Sequence, residues 1–317
     1  MMRVAVTGAT GRLGSALTAV LLAKGVEVLG WSRPEFDLDR PAVYRQLLER
    51  DRPDLVLHAA AWTDLDACAR DPALAESRNG LATALLAQAC RLARADFAYV
   101  STNEVFDGIR TDGQGYREDD PTGPVNAYGR SKLVGENAVR DAYALDDLRQ
   151  PRAWIVRTAW LYGPPGADFG TKVLGAARRA RAAGEALRLV VDEVASPTRA
   201  EDLAAAMVQL LALVGGQESQ ADSPPQGPQT APPGIYHLVN DGAVSRAAWA
   251  EELMAALGLR VPVEHVTARM WPRASLAPLW SVLDASRAAG HGVTMRPWRK
   301  ALEDELPRYR VLVEDNA

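Results

Sequence analysis

Val4-Ala5-Val6-Thr7-Gly8-Ala9-Thr10-Gly11-Arg12-Leu13-Gly14 joins an apolar run to three glycines spaced three apart, with a helical pattern beyond. Glycine allows the tight turn, the close approach of backbone to a pyrophosphate, and close packing of helix on strand. The free N–H groups of the helix start then face the phosphates. A glycine-rich turn is a weak signal alone, and gains meaning from this strand–turn–helix setting. Gly8, Thr10, Gly11, Arg12, Leu13 and Gly14 are therefore the first candidate dinucleotide contacts.

Outward from this turn, short apolar runs alternate with helical stretches. Strands are expected at Arg3–Thr7, Glu27–Gly30, Leu55–His58, Phe97–Ser101 and Trp154–Arg157. Helices are expected at Leu13–Ala23, Ala42–Arg50, Ala73–Ala93 and Ala127–Tyr143. Such alternation predicts an α/β fold, a doubly wound, Rossmann-like parallel sheet covered on both faces. Residues 1–160 read as an NAD(P)-binding domain that the chain re-enters later, and 161–317 as mainly a smaller substrate-binding α/β region. There, helices are expected at Thr171–Ala183, Ala200–Val214, Arg246–Leu257 and Trp298–Glu305, with strands at Leu187–Val191, Ile235–Val239 and Val261–Val266. Residues 215–234 are rich in Gly, Pro, Gln and Ser, with little to bury, and read as a flexible insertion.

Bulk properties exclude several classes. The net charge of -4 over 317 residues is mild and dispersed, which gives nucleic acid and anionic membranes no purchase. No apolar run approaches the ~20 residues of a membrane span, and no leader pattern precedes Arg3. Cys68 and Cys90, the two cysteines, suit a reducing compartment, so a cytoplasmic location is expected. His58, His237, His265 and His291 have no partners at metal-ligand spacing, and no metal is expected. His58 reads as a core residue.

The end of the second strand meets the adenosine ribose in this architecture. Gly30-Trp31-Ser32-Arg33 has no carboxylate there, whereas Arg33, with Arg12 adding a second charge, suits a 2′-phosphate. This favours NADPH, with NADH as the other candidate. Asp37-Leu38 lies where a carboxylate can receive an adenine amino group, and Ala59-Ala60-Ala61 offers small side chains beside the cofactor.

Tyr128-Gly129-Arg130-Ser131-Lys132 puts a phenol and an ammonium four apart on one helical face. A cation beside a phenol lowers its pKa and turns it into a usable acid–base group. Ser101-Thr102 ends the fourth strand, where Thr102 reaches the crevice and can hydrogen-bond the reacting oxygen. Thr102, Tyr128 and Lys132 are the catalytic candidates.

These motifs resemble extended short-chain dehydrogenases, and most closely the dTDP-4-dehydrorhamnose reductase family. The matching stretches are Val105-Phe106-Asp107-Gly108, Asn126 to Leu133 with Gly135-Glu136, Arg157 to Gly163, Ser196-Pro197-Thr198 and Tyr236-His237-Leu238. The resemblance implies NAD(P)H-dependent reduction of a 4-keto group on a nucleotide-linked deoxysugar. It gives Thr102 the keto oxygen, Tyr128 the proton, and Lys132 the nicotinamide ribose. Trp160 would pack beside sugar and nicotinamide, and Asn79 occupies the place of a structural or relay asparagine. Asn103 and Glu104 stand where the family commonly has Asp-Tyr, and are read as substrate contacts. Ala277-Pro278 replaces a common Arg-Pro, which removes a diphosphate partner that Arg273 or Arg269 can supply. Thr102-Asn103-Glu104 also resembles the Thr-Asp-Glu of nucleotide-sugar 4,6-dehydratases, but Asn103 has no acidic proton. Epimerases share the Tyr/Lys pair, and a non-catalytic, NADP-loaded regulatory subunit is a further alternative. A nucleotide sugar is the expected partner, and a homodimer is left open.

Overall fold

The protein is described by a computed structural model covering residues 2–144, 151–213 and 230–314. Five strands of the first half, β1 (Arg3–Thr7), β2 (Glu27–Trp31), β3 (Leu55–His58), β4 (Asp96–Thr102) and β5 (Ala153–Thr158), lie parallel in the order β2-β1-β3-β4-β5. The strand Gly234–His237 adds to β5, so the chain re-enters the sheet from its second half. Val4, Ala5, Val6, Leu55, Val56 and Leu57 are at most 1% exposed, because both sheet faces are covered. The strand order reverses between β1 and β3, and ligands of open α/β sheets bind in the crevice at such a point.

Helices Arg12–Ala23 and Ala200–Leu210 pack together on one face, while Val43–Asp51 and Ala82–Leu92 cover the other. A separate apolar cluster, including Tyr162, Leu174, Trp249, Leu253 and Tyr309, binds the helices of the second half together. No helix among the described residues is long and apolar enough to cross a membrane.

Three elements depart from expectation. The helix expected at Ala73–Ala93 is Pro72–Ala75, a π-helical turn Glu76–Leu81, and Ala82–Leu92. Asn79 within that turn is bonded on both sides of its amide, and π turns of this kind gather at functional sites. The last helix runs beyond Glu305 to Glu314 and through Pro307; buried Tyr309, whose hydroxyl donates to Asp168 (2.9 Å), anchors the added turns. Residues 214–229, most of the expected insertion, lie outside the described residues. Its end is packed: the Ala231 N–H donates to the Leu210 carbonyl (2.9 Å), and its carbonyl accepts from Trp154 Nε1 (2.9 Å).

Candidate active site

The glycine turn has the geometry its spacing predicts. Gly8 adopts φ +65°, and a Cβ on Gly14 would stand 2.0 Å from the Gly8 carbonyl oxygen. Helix Arg12–Ala23 begins without a side-chain cap at Gly11, so its first-turn N–H groups are left for an anion. Leu13 buries its side chain in the core and contributes backbone alone to this turn. The Thr10 N–H donates to Ser32 Oγ (3.2 Å), tying the turn to the end of β2. The Ala60 N–H donates to Thr7 Oγ1 (3.1 Å), and Ala59, Ala60 and Ala61 line the neighbouring loop half-buried. These features fit a dinucleotide.

On the adenosine side, Arg33 is exposed just past β2, and Asp37 and Leu38 are half-buried. Asp37 Oδ1 accepts the Asp39 N–H (3.1 Å). The Arg12 guanidinium is committed to the chain itself. Its Nε donates to the Gly163 carbonyl (2.6 Å) and its Nη2 to those of Ala167 (2.9 Å) and Pro165 (3.3 Å). The expected second cation is instead a clamp between the glycine turn and the loop after β5, because bare carbonyls there outcompete solvent for its donors. Arg33 stays exposed at the end of β2, where it is expected to meet a 2′-phosphate. Arg33→Ala should weaken NADPH roughly tenfold more than NADH. Equal losses for both cofactors in fluorescence titrations would remove Arg33 from that role.

Tyr128 stands beside Thr102 at the C-terminal end of β4, and Lys132, four residues on in the same helix, lies over Tyr99 of that strand. Thr102 Oγ1 accepts the Glu104 N–H (3.2 Å) and donates to Asn103 Oδ1 (3.3 Å). Helix Ala127–Ala142 begins at Asn126, whose Oδ1 caps the Gly129 N–H (2.7 Å). A Cβ on Gly129 would lie 2.0 Å from the Glu104 carbonyl oxygen, so glycine lets this helix seat directly on the loop carrying Thr102. Farther along the helix, buried Glu136 takes Arg157 of β5 at 2.9 and 2.7 Å and Ser101 Oγ at 2.5 Å.

The electrostatics correct one expectation. Burial, and then the Glu104 carboxylate, push the Tyr128 phenol above its ordinary value, while the Thr102 hydroxyl works the other way. The Lys132 ammonium lies over the face of Tyr99, 4.0 Å from the ring centroid, and burial pulls it down to about 7. The chain alone therefore holds Tyr128 as a neutral phenol: desolvation leads the shift, and the group that opposes it is the Thr102 hydroxyl rather than the expected cation.

The substrate side is built from distant segments. Glu104 is buried, its Oε2 accepts Asn126 Nδ2 (2.6 Å), and burial raises its carboxyl. Asn103, expected to touch substrate, is 2% exposed and committed to the chain: its Nδ2 donates to Ser281 Oγ (2.7 Å). It fixes the segment 275–284, also held by Ser275 N–H on Asp66 (2.8 Å) and Trp280 N–H on the Gly108 carbonyl (3.0 Å). Trp160, at φ +42°, is half-buried under Arg246, whose guanidinium carbon stands 4.2 Å from the ring centroid.

A chain with this glycine turn and this Thr/Tyr/Lys cluster matches a family model over residues 2–311, described as the RmlD substrate binding domain. It is 38% identical over 306 residues to a dTDP-4-dehydrorhamnose reductase of Streptomyces griseus, covering 95% of this chain and 92% of that protein. The chain belongs to the dTDP-4-dehydrorhamnose reductase family. Two solved members agree in fold. The Clostridium acetobutylicum reductase superposes with a TM-score of 0.81 at 28% identity, over 96% of this chain and 98% of that one. The Bacillus anthracis reductase, solved in complex with NADP, gives 0.79 at 28% identity over the same shares.

Within this member of the reductase family, several residues went unread in sequence. Glu193 is 1% exposed and pairs with Arg246 (2.6 Å) and Arg273 (2.7 Å), joining three segments far apart in the chain. No local spacing signals such a cluster. Asn126 could have been read as an N-cap, since Asn precedes the helical pattern. Asn79, expected as a structural or relay residue, is fully hydrogen-bonded: its Oδ1 accepts the Trp62 N–H (2.8 Å), and its Nδ2 donates to the Trp62 carbonyl (2.9 Å) and Ser131 Oγ (3.0 Å). His58 is a core residue as expected, bonded to Thr7 Oγ1 (2.8 Å) and Thr83 Oγ1 (3.1 Å) and held neutral by burial, its pKa drawn down to about 3.

Proposed function

We propose that this protein reduces the 4-keto group of a nucleotide-linked deoxysugar with NADPH, as a dTDP-4-dehydrorhamnose reductase does. The observation that carries this reading is a buried, neutral Tyr128 phenol beside Thr102, in a chain whose uncapped glycine turn fits a dinucleotide. The nicotinamide cofactor supplies the hydride when bound. Gly8, Gly11 and Gly14, with the N–H groups of Arg12 and Leu13, cradle its diphosphate, and Thr10 holds the turn to Ser32. Arg33 takes the 2′-phosphate, Asp37 and Leu38 border the adenine, and Ala59, Ala60 and Ala61 line its path. Lys132 binds the nicotinamide ribose.

Reduction of a carbonyl requires a proton at the oxygen as charge develops there. Tyr128 supplies it, and its raised pKa keeps that proton in place at neutral pH. Thr102 hydrogen-bonds the same oxygen and orients it. Glu104 and Trp160 border the sugar, while Asn103 acts one step back by holding the segment at Ser281. That commitment weighs against the 4,6-dehydratase reading, which needs an acid at position 103.

The test is stoichiometry. Adding a dTDP-linked 4-keto-6-deoxysugar should oxidise one NADPH per sugar, followed at the reduced-nicotinamide absorbance. Incubation with dTDP-glucose should yield no keto product. Water loss from dTDP-glucose without net NADPH oxidation would replace this reading with dehydration.

A further inference from the structure

The glycine turn is tied to the far end of the chain. Arg12, the first residue of helix Arg12–Ala23, donates from its guanidinium to three carbonyls of one loop, those of Gly163 (2.6 Å), Ala167 (2.9 Å) and Pro165 (3.3 Å). These carbonyls belong to alternate residues of a loop closed on itself, since Asp168 Oδ2 accepts the Gly163 N–H (3.0 Å). Asp168 is 4% exposed. The same oxygen takes Arg308 Nη2 (2.5 Å) and the Tyr309 hydroxyl (2.9 Å), both from helix Trp298–Glu314. Burial opposes ionisation of Asp168, yet the Thr171 and Gly163 N–H groups and the Arg308 cation hold its carboxyl below the ordinary range. Tyr309 is fully buried against Gly170, where a Cβ would stand 2.5 Å from the phenol carbon that bears the hydroxyl. Only glycine there lets the hydroxyl reach Asp168.

We infer that Asp168 and Tyr309 are positioning residues for the cofactor: through the loop 163–168 and the Arg12 guanidinium, the last helix of the chain fixes the glycine turn that receives the dinucleotide. The inference rests on the reading of that turn as the seat of the cofactor's diphosphate. The first-turn N–H groups have no side-chain cap, so their value to an anion depends on where the helix start points. Thr10 ties the turn to the end of β2 through Ser32 Oγ (3.2 Å), and the Arg12 side chain ties it to the second half of the chain. A guanidinium is planar, so three carbonyls in set places fix its orientation, and its bonds to them have charge-assisted strength. A turn held this way meets the diphosphate already ordered, and the ordering cost falls on folding instead of on binding. The coupling is reciprocal: a cofactor that prefers the ordered turn steadies the loop and the last helix in return.

The test reads cofactor binding apart from chemistry. NADPH affinity by fluorescence titration, KM for NADPH and kcat are measured for the wild type, R12M, R12K, Y309F and the double variant R12M/Y309F. R12M should bind NADPH roughly tenfold more weakly, the scale of lost charge-assisted hydrogen bonds, and R12K should recover part of the loss. Y309F keeps the ring and loses only the bond to Asp168. Its affinity and KM should worsen roughly fivefold while kcat holds. Since Tyr309 acts through Arg12, the double variant should match R12M within about twofold. Hydrogen exchange gives the reciprocal readout: NADPH should slow amide exchange over residues 305–314 by about the same fivefold in the wild type, and leave it unchanged in R12M. NADPH affinity in Y309F within about twofold of wild type would overturn the inference, as would losses that multiply in the double variant. So would a kcat that falls in step with affinity in Y309F, since that pattern marks a loosened fold. A wild type that shows this coupling to NADPH yet reduces no keto-sugar would sink the reductase reading and leave the positioning role standing.

Discussion

Tyr128→Phe should lower kcat by about 10²- to 10⁴-fold, the range that a positioned acid contributes, while NADPH affinity stays within about twofold. The ring remains to fill its site at 9% exposure, packed with Cys68, Ala75 and Ala127. The proton is lost. Because the wild-type phenol is held above its ordinary value by burial and Glu104, it stays protonated across the neutral and mildly alkaline range. Single-turnover absorbance traces separate the step from binding. A variant that turns over at the wild-type rate removes the tyrosine from the reaction. One that loses cofactor affinity in parallel makes the hydroxyl a binding group rather than a proton donor.

The fold was readable because its signals are local. The glycine turn, the buried runs of β1, β3 and β4, and the Tyr–Lys spacing each lie within a dozen residues, and each turned up where its pattern placed it. The candidate site was readable only in part, and the losses have a common cause. Asn103 looked like a substrate contact because it follows Thr102. Its real partner, Ser281, is 178 residues away and has no signature of its own. Arg12 looked like a phosphate reader from its place in the turn, but carbonyls more than 150 residues on claim its guanidinium. The sign of the shift on Tyr128 also escaped, since a four-residue spacing reports the neighbouring cation and not the depth of burial. Charge pairing across segments and desolvation belong to the folded chain.

Lys132→Met should abolish reduction and yet stabilise the ligand-free protein. Lys132 is 2% exposed, and its Nζ contacts the face of Tyr99. Its folded-state pKa of about 7 lies below the ordinary 10.5 of the unfolded chain, with burial as the cause and Glu136 opposing it. Between those values the unfolded chain holds more protons, so folding gains stability as pH rises from 7 towards 10.5. The penalty is fully present below pH 7. Methionine has nearly the same length and no charge to desolvate, and it removes that term. Allowing for the contact with Tyr99 that is also lost, the variant should exceed wild type by about 2–4 kcal/mol at pH 7. The gap should shrink by about 1–2 kcal/mol by pH 8.5. The Lys132 charge also lowers His58, but burial leads that shift and keeps the imidazole neutral in both folded proteins from pH 7 to 8.5, so the difference there reads Lys132. Urea denaturation at the two pH values reads it directly. A variant no more stable than wild type, or a gap that ignores pH, would mean that the ammonium is not desolvated in the free protein. The outcome expected here, more stability and no turnover, is the mark of a charge kept in an apolar place for its chemistry.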